Sequence, residues 1–549
     1  MSEPRHILVA VGWPYATGSL HLGHIAGAYL PPDIFARYHR LAGNKVLMVS
    51  GSDVHGTPIT VRADEEGISP EEIVDKYHPR FLGYWDRLGI NFDLFTTTGT
   101  DNHKRVARGF FMKLLENGYL YRKTTSQFFD EEAQRFLPDR YVEGTCPHCG
   151  SIYARGDQCD NCGRTLEPQD LIDPRSKLSS SRPVERETEH YYWKLSAFEE
   201  PLLVWLGSRE DWRPHVVNFA IGMVKAGLHD RSFTRDLDWG IPIPVDDLGP
   251  GKSIYVWWEA VMGYFSAPQE WAEIQGTPDA WKDWWMNPDA ESYYFVGKDN
   301  IPFHAVYWPA LLMGHGGLNL PTNVPGNQYV TFGGSKASKS RGVGRSLDWY
   351  LDRFEPDALR YAIAAVLPEH NDTDLSDTEL VRRVNEELVA TWGNLVNRVL
   401  SMTARSAGGS IPAPGDFDDE DRTLLDRVDA AIAEAGTHFE AVELRMALRR
   451  LMDGAQEVNA YLNQKAPWKT APTDPERTAT TLYVALSAIN GLKTGFSPFL
   501  PFTSARVHEL LGQSGTLDDG GWARSDLQPG TTLPTPAPLF AKIEVSELE

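Results

Sequence analysis

The sequence predicts an α/β protein: a doubly wound parallel sheet, interrupted by a cysteine-bearing insert and followed by an all-α helical bundle. Three observations lead there. Short apolar runs alternate with helical segments over the first hundred residues and again after Asp230. All four cysteines of the chain fall between those regions, within 146–162. Beyond Asp348 strand signals stop and helical periodicity takes over. At 549 residues, 42% of them hydrophobic, the chain has core material for about two to four domains.

The organising stretch is 9–24, VAVGWPYATGSLHLGH. Residues 7–11 suit a buried parallel strand, 12–20 have loop chemistry, and apolar residues resume after Gly23 as a helix would. A helix N-terminus carries roughly half a positive charge and unpaired N–H groups, so an anion sits there when the residues nearby are small. Gly18 and Gly23 supply that room. His21 and His24 are placed to donate to phosphate oxygens, Gly23 leaves space for an adenine or ribose, and the expected ligand is ATP. A helix opened by proline follows at 32–41, then a second strand at 45–50 ending in Gly51-Ser52-Asp53. That βαβ unit puts the glycine loop and Asp53 on one edge of a Rossmann-type sheet, beyond the C-terminal ends of its strands. Asp53 suits a cation such as an α-ammonium group; its plainer role is to cap a helix beginning near His55.

From about Leu120 the alternation gives way to Cys146-Pro-His-Cys149 and Cys159-Asp-Asn-Cys162. Two C-x2-C pairs nine residues apart have tetrahedral zinc spacing, and each pair is followed by a glycine, Gly150 or Gly163, as a tight knuckle requires. With no open coordination position, one zinc ion per chain has a structural role, contributing on the order of 10 kcal/mol to a core-poor insert. After the insert, a strand is expected at 253–256 leading into an aromatic-rich helix, and another at 293–296 followed by a helix at 303–312. These two βα units complete the sheet. Helices are expected at 357–366, 378–404, 421–435, 443–461 and 478–492, with a loop-like tail from Gly512 that packs back at 539–543.

A formal charge of −22 argues against indiscriminate binding to nucleic acid, though not against a specific RNA partner. Positive charge gathers at Arg382, Arg383 and Arg398, at Arg445, Arg449 and Arg450, and at Lys465 and Lys469, where solvated helix faces are the plainer reading. The apolar stretch 482–502 is broken by Asn490, Lys493, Ser497 and prolines, so no membrane partner is expected. The first strand starts at Ile7, which leaves no room for a cleavable signal and points to a soluble, cytoplasmic protein.

A second motif, KASKS, stands at 336–340 between Gly333-Gly334 and Arg341-Gly342. Lys336 and Lys339 can bring two cations to one polyphosphate. With His21-Leu-Gly-His24 upstream, it resembles the HIGH and KMSKS signatures of class I aminoacyl-tRNA synthetases, and over nearly its whole length the chain resembles the methionyl-tRNA synthetase family. The resemblance implies roles residue by residue. Trp13 and Tyr15, flanking Pro14, take the positions of a Leu-Pro-Tyr that contacts the amino acid, and Trp13 is a departure whose larger ring narrows the pocket or moves the loop. Asp53 receives the α-amino group, Trp257, Ala260, Val261 and Tyr264 form the aromatic wall of a methionine pocket, and His304 is its polar end. Lys339 stabilises the activation transition state with Lys336 assisting, Ser338 and Ser340 join Gly23 at ATP, and Ala337 stands where methionine is usual. Asn394 and Arg398, one helical turn apart, and Trp468 read the anticodon.

The implied activity is ATP-dependent activation of L-methionine, with Mg2+ accompanying ATP, and transfer of the methionyl group to tRNA(Met). The expected division is 1–118 and 230–330 for the two halves of the catalytic domain, 119–229 for the zinc insert, 331–381 for the lysine loop and stem-contact region, and 382–549 for the anticodon-binding bundle with its tail. A monomer is expected, because the family's dimers use a C-terminal extension not seen here. Two alternatives stay open. Another class I synthetase would share both signatures, although the branched-chain enzymes carry a large editing insert and a cysteine enzyme uses its metal on the substrate. A silent RNA-binding paralogue is the other, and the intact histidines and lysines speak against it.

Overall fold

The computed structural model describes residues 3–138, 141–156, 159, 161, 162, 164, 166, 168–333, 345–544 and the backbone of 335 and 336. Its centre is a parallel five-stranded sheet. The strands are β1 (His6–Val11), β2 (Lys45–Ser52), β3 (Leu94–Thr97), β4 (Glu291–Gly297) and β5 (Gly326–Asn327), in the spatial order β5-β4-β1-β2-β3. β1 lies in the middle, with Val9 facing Met48 on one side and Tyr293 on the other. Every residue of β1 after His6 is buried, as an unbroken apolar run covered on both faces must be.

The sheet differs from expectation at its edges. The run expected as a sheet strand at 253–256 forms Lys252–Ile254, which pairs antiparallel with Thr234–Asp236 outside the central sheet. Tyr255 is already the N-cap of the helix Val256–Ile274. A short apolar run does not distinguish strand from helix start, and the helix claimed it. The sheet is completed instead by the two-residue β5, with β3 on the opposite edge. Strands also do not end at Asp348, because Thr373–Asp374 pairs in parallel with Val330–Phe332.

The helix expected at 32–41 is the end of a longer one. His21 caps the turn Leu22–His24, which runs through a wide π-helical turn, Ile25–Tyr29, into Leu30–Leu41. Pro31 and Pro32 lack N–H donors, and the wide turn before them is where the helix absorbs that loss. The insert is built on a long antiparallel ribbon, Leu120–Asp130 with Val184–Trp193. A small three-stranded sheet, Val142–Thr145 between Ala154–Arg155 and Ile172–Ser176, carries the cysteines beside it.

The last third is helical, as its periodicity predicts. Asp419–Glu440, Leu444–Lys465 and Pro475–Phe496 pack through apolar faces such as Leu424, Val428, Ile432 and Phe439. Asp418 accepts from the N–H groups of Glu420 and Asp421 and so fixes where the first of them starts. Asp377–Arg382, the π-helical Arg383–Gly393 and Asn394–Ser406 follow one another without a break. The tail returns to bury Leu539, Phe540 and Ile543, and Asn385 holds the backbone of Ile543. The basic clusters are mostly neutralised in place: Arg382 and Arg383 pair with Glu379 and Glu387, Arg450 with Glu434, and Lys465 with Asp418 and Glu420. Among the described residues no helix is long and apolar enough to cross a membrane.

One buried ion pair joins the sheet layer to this helical region. Asp33, on Leu30–Leu41, meets Arg360, on Pro356–Ala364, at 2.7 Å, and both are fully buried. Arg360 also donates to the backbone carbonyls of Leu88, Pro498 and Phe499. Burial pushes the Asp33 carboxyl up, but Arg37, Arg360 and the Asn91 N–H more than reverse it, so it stays below the ordinary carboxylate range. Removing one partner of such a pair leaves an uncompensated buried charge. Asp33→Ala is therefore expected to cost about 3 to 5 kcal/mol of unfolding free energy in urea, and a cost under about 1 kcal/mol would rule out this role.

Candidate functional site

The loop after β1 is tied to the end of β2. Asp53 N–H donates to Pro14 O at 2.8 Å and Ala16 N–H to Asp53 O at 3.1 Å, so Trp13, Pro14 and Tyr15 run beside Asp53. Two glycines make room for Trp13. A Cβ on Gly51 would overlap its ring, and one on Gly263 would stand 2.6 Å from it. The large ring is thus taken up between sheet and helix, with both backbones stripped of side chain where it lies.

His21 and His24 stack at 3.7 Å between ring centres, and the His21 backbone N–H donates to Nδ1 of His24 at 3.2 Å. A neutral His24 therefore carries its proton on Nε2. A side chain at position 23 would put its Cβ 2.9 Å from His21 Nδ1, which is why glycine stands between the two histidines.

Asp53 is 2% exposed, and its Oδ1 accepts from His55 N–H and the Thr98 hydroxyl, both at 3.3 Å. Burial and the nearby Glu259 charge push its carboxyl well above the ordinary range, against those two hydrogen bonds. Such a carboxyl regains its charge when a cation arrives beside it.

The helix Val256–Ile274 supplies the wall. Trp257 stacks on Phe303 at 3.9 Å and meets Tyr15 edge-on at 6.1 Å. Tyr264 Oη lies 2.7 Å from His304 Nε2, while His304 Nδ1 lies 2.8 Å from the Asn300 carbonyl. Burial pulls the His304 imidazole down to about 4 despite the Asn300 contact. It is neutral, with its proton on Nδ1 toward Asn300, and Tyr264 donates to Nε2.

The loop after β1, the two histidines, Asp53 and the wall line one cavity of about 530 Å³. It brings together Trp13, Tyr15, His21, Gly23, His24, Asp53, Trp257, Ala260, Val261, Tyr264 and His304. Asp299, Asn300, Gln328, Tyr329 and Val330 complete it and were not singled out from the sequence. The Tyr329 hydroxyl donates to Asp299, and Lys298 sits 3.8 Å above the Tyr329 ring. The backbone of Lys336 pairs opposite Thr331, next to the cavity-lining Val330. The Lys336 side chain, Ala337, Ser338, Lys339 and Ser340 lie outside the described residues.

Three predicted residues lie elsewhere. Asn394 is exposed at the start of Asn394–Ser406, where Arg398, one turn on, donates to Asn459 at 3.0 Å. Trp468 stands 47% exposed on the short helix Pro467–Thr470. Sequence reading also missed Glu259, His55 and His103, a buried carboxylate between two imidazoles directly behind the wall. The one signal for it is an acid inside the otherwise apolar run VWWEAVMGYF.

The Sγ atoms of Cys146, Cys149, Cys159 and Cys162 all lie within 4.8 Å of one another, with closest pairs at 3.6 and 3.9 Å and no disulfide. A tetrahedral thiolate site with metal–sulfur bonds of about 2.3 Å has edges of roughly 3.8 Å, so the donor set fits a metal ion.

Two family profiles match the chain: tRNA synthetases class I (M) over residues 7–400 and the anticodon binding domain of methionyl tRNA ligase over 411–549. The chain belongs to the class I tRNA synthetases, family (M). Among its relatives, the methionine–tRNA ligase of Roseiflexus sp. (strain RS-1) is 50% identical over 577 residues, covering 99% of this chain and 97% of its own. That of Dehalococcoides mccartyi (strain CBDB1) is 50% identical over 549 residues, covering 100% and 99%. Among solved synthetases, that of Mycobacterium tuberculosis bound by methionyl-adenylate superposes with a TM-score of 0.80 at 25% identity, over 98% of this chain and 100% of that one. Its free form gives 0.72 at 25% identity, over 98% of each.

Elemental analysis of the purified protein is expected to find about one metal ion per chain, and Cys159→Ser to lose it and destabilise the insert. Full metal content in that variant would remove Cys159 from the ligand set.

Proposed function

We infer that this protein is a methionine–tRNA ligase, which activates L-methionine with ATP to methionyl-adenylate and passes the methionyl group to the 3′ end of tRNA(Met). The observation that carries the reading is the single cavity in which the His21–His24 loop and Asp53 share a floor with the aromatic wall. A carboxylate held from the Asp53 side then faces a phosphate held from the histidine side. Full-length likeness to methionine–tRNA ligases supports the choice of amino acid.

Asp53 takes the α-ammonium, and its suppressed ionisation is relieved by that cation. Trp13, Tyr15, Trp257, Ala260, Val261 and Tyr264 enclose the thioether, each sulfur–ring contact being worth roughly 0.3 to 1.5 kcal/mol. His304 is neutral and already engaged at both nitrogens, so this end stays uncharged. One methylene in such a pocket is worth only about 1 to 3 kcal/mol, so homocysteine and norleucine are weakly discriminated.

The methionine carboxylate attacks the α-phosphorus of ATP, the bond to pyrophosphate breaks, and a terminal ribose hydroxyl of the tRNA later displaces AMP from the carbonyl. A carboxylate is already nucleophilic, so the first step needs no protein base. What it needs is stabilisation of the charge growing on the phosphates, by His21, His24, Lys336 and Lys339, with Gly23, Ser338 and Ser340 at the nucleotide. Mg2+ accompanies ATP and supplies further charge neutralisation. Zinc, held by Cys146, Cys149, Cys159 and Cys162, stabilises the insert without an open coordination position. Asn394, Arg398 and Trp468 read the anticodon, with exposed Trp468 offering a stacking face. The division at 118, 229, 330 and 381 follows, and the protein works as a cytoplasmic monomer.

Amino-acid-dependent ATP–pyrophosphate exchange, run with each of the twenty amino acids without tRNA, tests the reading. Exchange with methionine is expected; exchange with another amino acid alone would overturn the pocket, and none at all from folded, metal-replete protein would favour a silent RNA-binding protein. In the same assay Lys339→Ala is expected to keep methionine affinity and lose about a hundred- to thousandfold in rate, about 3 to 4 kcal/mol of barrier. Unchanged turnover would reject that role.

A further inference from the structure

We infer that Glu259, held between His55 and His103 behind the cavity, is a positioning residue for α-amino recognition, keeping a second negative charge behind Asp53, the one of the two carboxyl groups that faces the ammonium. The inference rests on the proposed recognition of an amino acid at Asp53 and names a residue that does not touch the ligand.

Glu259 is fully buried, and acids are rarely so unless both oxygens are satisfied. Here they are. Oε1 lies 2.8 Å from His55 Nδ1, and Oε2 lies 2.8 Å from His103 Nε2. The first contact leads straight to the ligand carboxylate, because His55 donates its backbone N–H to Asp53 Oδ1. The second reaches the helix Asp101–Glu116, where His103 Nδ1 lies 2.8 Å from the Ser266 hydroxyl on the same helix as Glu259. That helix carries the wall residues Trp257, Ala260, Val261 and Tyr264, so Glu259 links the wall helix to Asp53 through His55.

Mechanical attachment does not explain an ionised group there. Glu270 already ties the same helix to Thr96 at 2.7 Å and Thr100 at 3.1 Å, and Asn102 holds the Ser266 carbonyl at 2.9 Å. What Glu259 adds is charge. Its two imidazole partners hold the carboxyl below its ordinary range against the pull of burial, and its field reaches Asp53. Where both carboxyl groups are this deeply buried, a second charge of one sign strengthens the hold on an opposite charge and leaves a neutral group unaffected.

The test separates charge from shape. Binding of L-methionine and of its α-hydroxy analogue, which carries a hydroxyl in place of the ammonium, is followed by tryptophan fluorescence in the full-length protein. Glu259→Gln is expected to weaken methionine about tenfold and leave the hydroxy analogue unchanged, while Glu259→Asp keeps the preference for methionine. Equal losses for both ligands, or no loss for methionine, in folded Glu259→Gln would overturn the proposal. If that variant does not fold, loss of the preference in Glu259→Asp overturns it and retention supports it. A wild-type protein with no preference between the two ligands would overturn amino-acid recognition at Asp53 itself, a result distinct from any difference among variants.

Discussion

The buried pair of Asp33 and Arg360 is the constraint on which the rest of the molecule depends. Asp33 belongs to the helix that begins at the histidine motif, and Arg360 gathers carbonyls from Leu88, Pro498 and Phe499. The histidine-bearing loop and the helical bundle are therefore set against one buried point. A charged pair in a core is a poor source of net stability, since desolvation offsets most of its attraction. What it fixes is relative position, because Arg360 meets Asp33 and three backbone carbonyls at once. Arg213 does the same for the insert, donating to Gly326 and Asn327 at the sheet edge and to Val442 in the bundle. Besides one side-chain partner each, Asp33 for Arg360 and Asn327 for Arg213, both guanidiniums donate to backbone carbonyls, which fixes chain positions and not merely side chains.

Within that frame the site is made by backbone proximity. Tyr15 and Asp53 pair as neighbouring chain segments, so the loop and the carboxylate cannot move independently. Gly51, Gly263 and Gly23 mark where rings press against backbone. Trp13 shows how a bulky residue is admitted to a loop position without occupying the cavity centre: its volume is taken from sheet and helix on either side.

What could be read from the sequence follows from how local its cause is. β1, β2 and β4 are apolar runs whose burial needs no knowledge of partners, and the cysteine spacing carries its own geometry. The five helices announced themselves by period, though most of their ends moved outward to caps such as Asp418, while the first stops at Ala364 and the fourth starts at Leu444, each inside its expected bound. β3 and β5 were not legible, because a two- to four-residue strand exists only by virtue of the neighbour it pairs with. At 252–256 the run of apolar residues was ambiguous, and a tertiary pairing with Thr234–Asp236 decided it. Trp257, Tyr264 and His304 were placed by family resemblance; their spacing alone reads as core packing. Glu259 was invisible because its partners stand 204 and 156 positions away.

The cavity is lined by groups of three kinds of polarity. At one end Tyr264 and neutral His304 satisfy each other, so no charge and no unmet donor invites a polar group. In the middle stand Asp53 and, behind it, Glu259, both deeply buried and both kept from water. At the far end two stacked histidines face the strand of Val330–Phe332, from which the lysine-bearing chain departs. One cavity thus offers an uncharged aromatic surface, a buried carboxyl and a pair of stacked imidazoles. A molecule carrying both a cation and an apolar group loses both interactions at once if it sets the cation against the uncharged aromatic groups and the apolar part against the Asp53 carboxyl, so the lining itself discriminates between orientations.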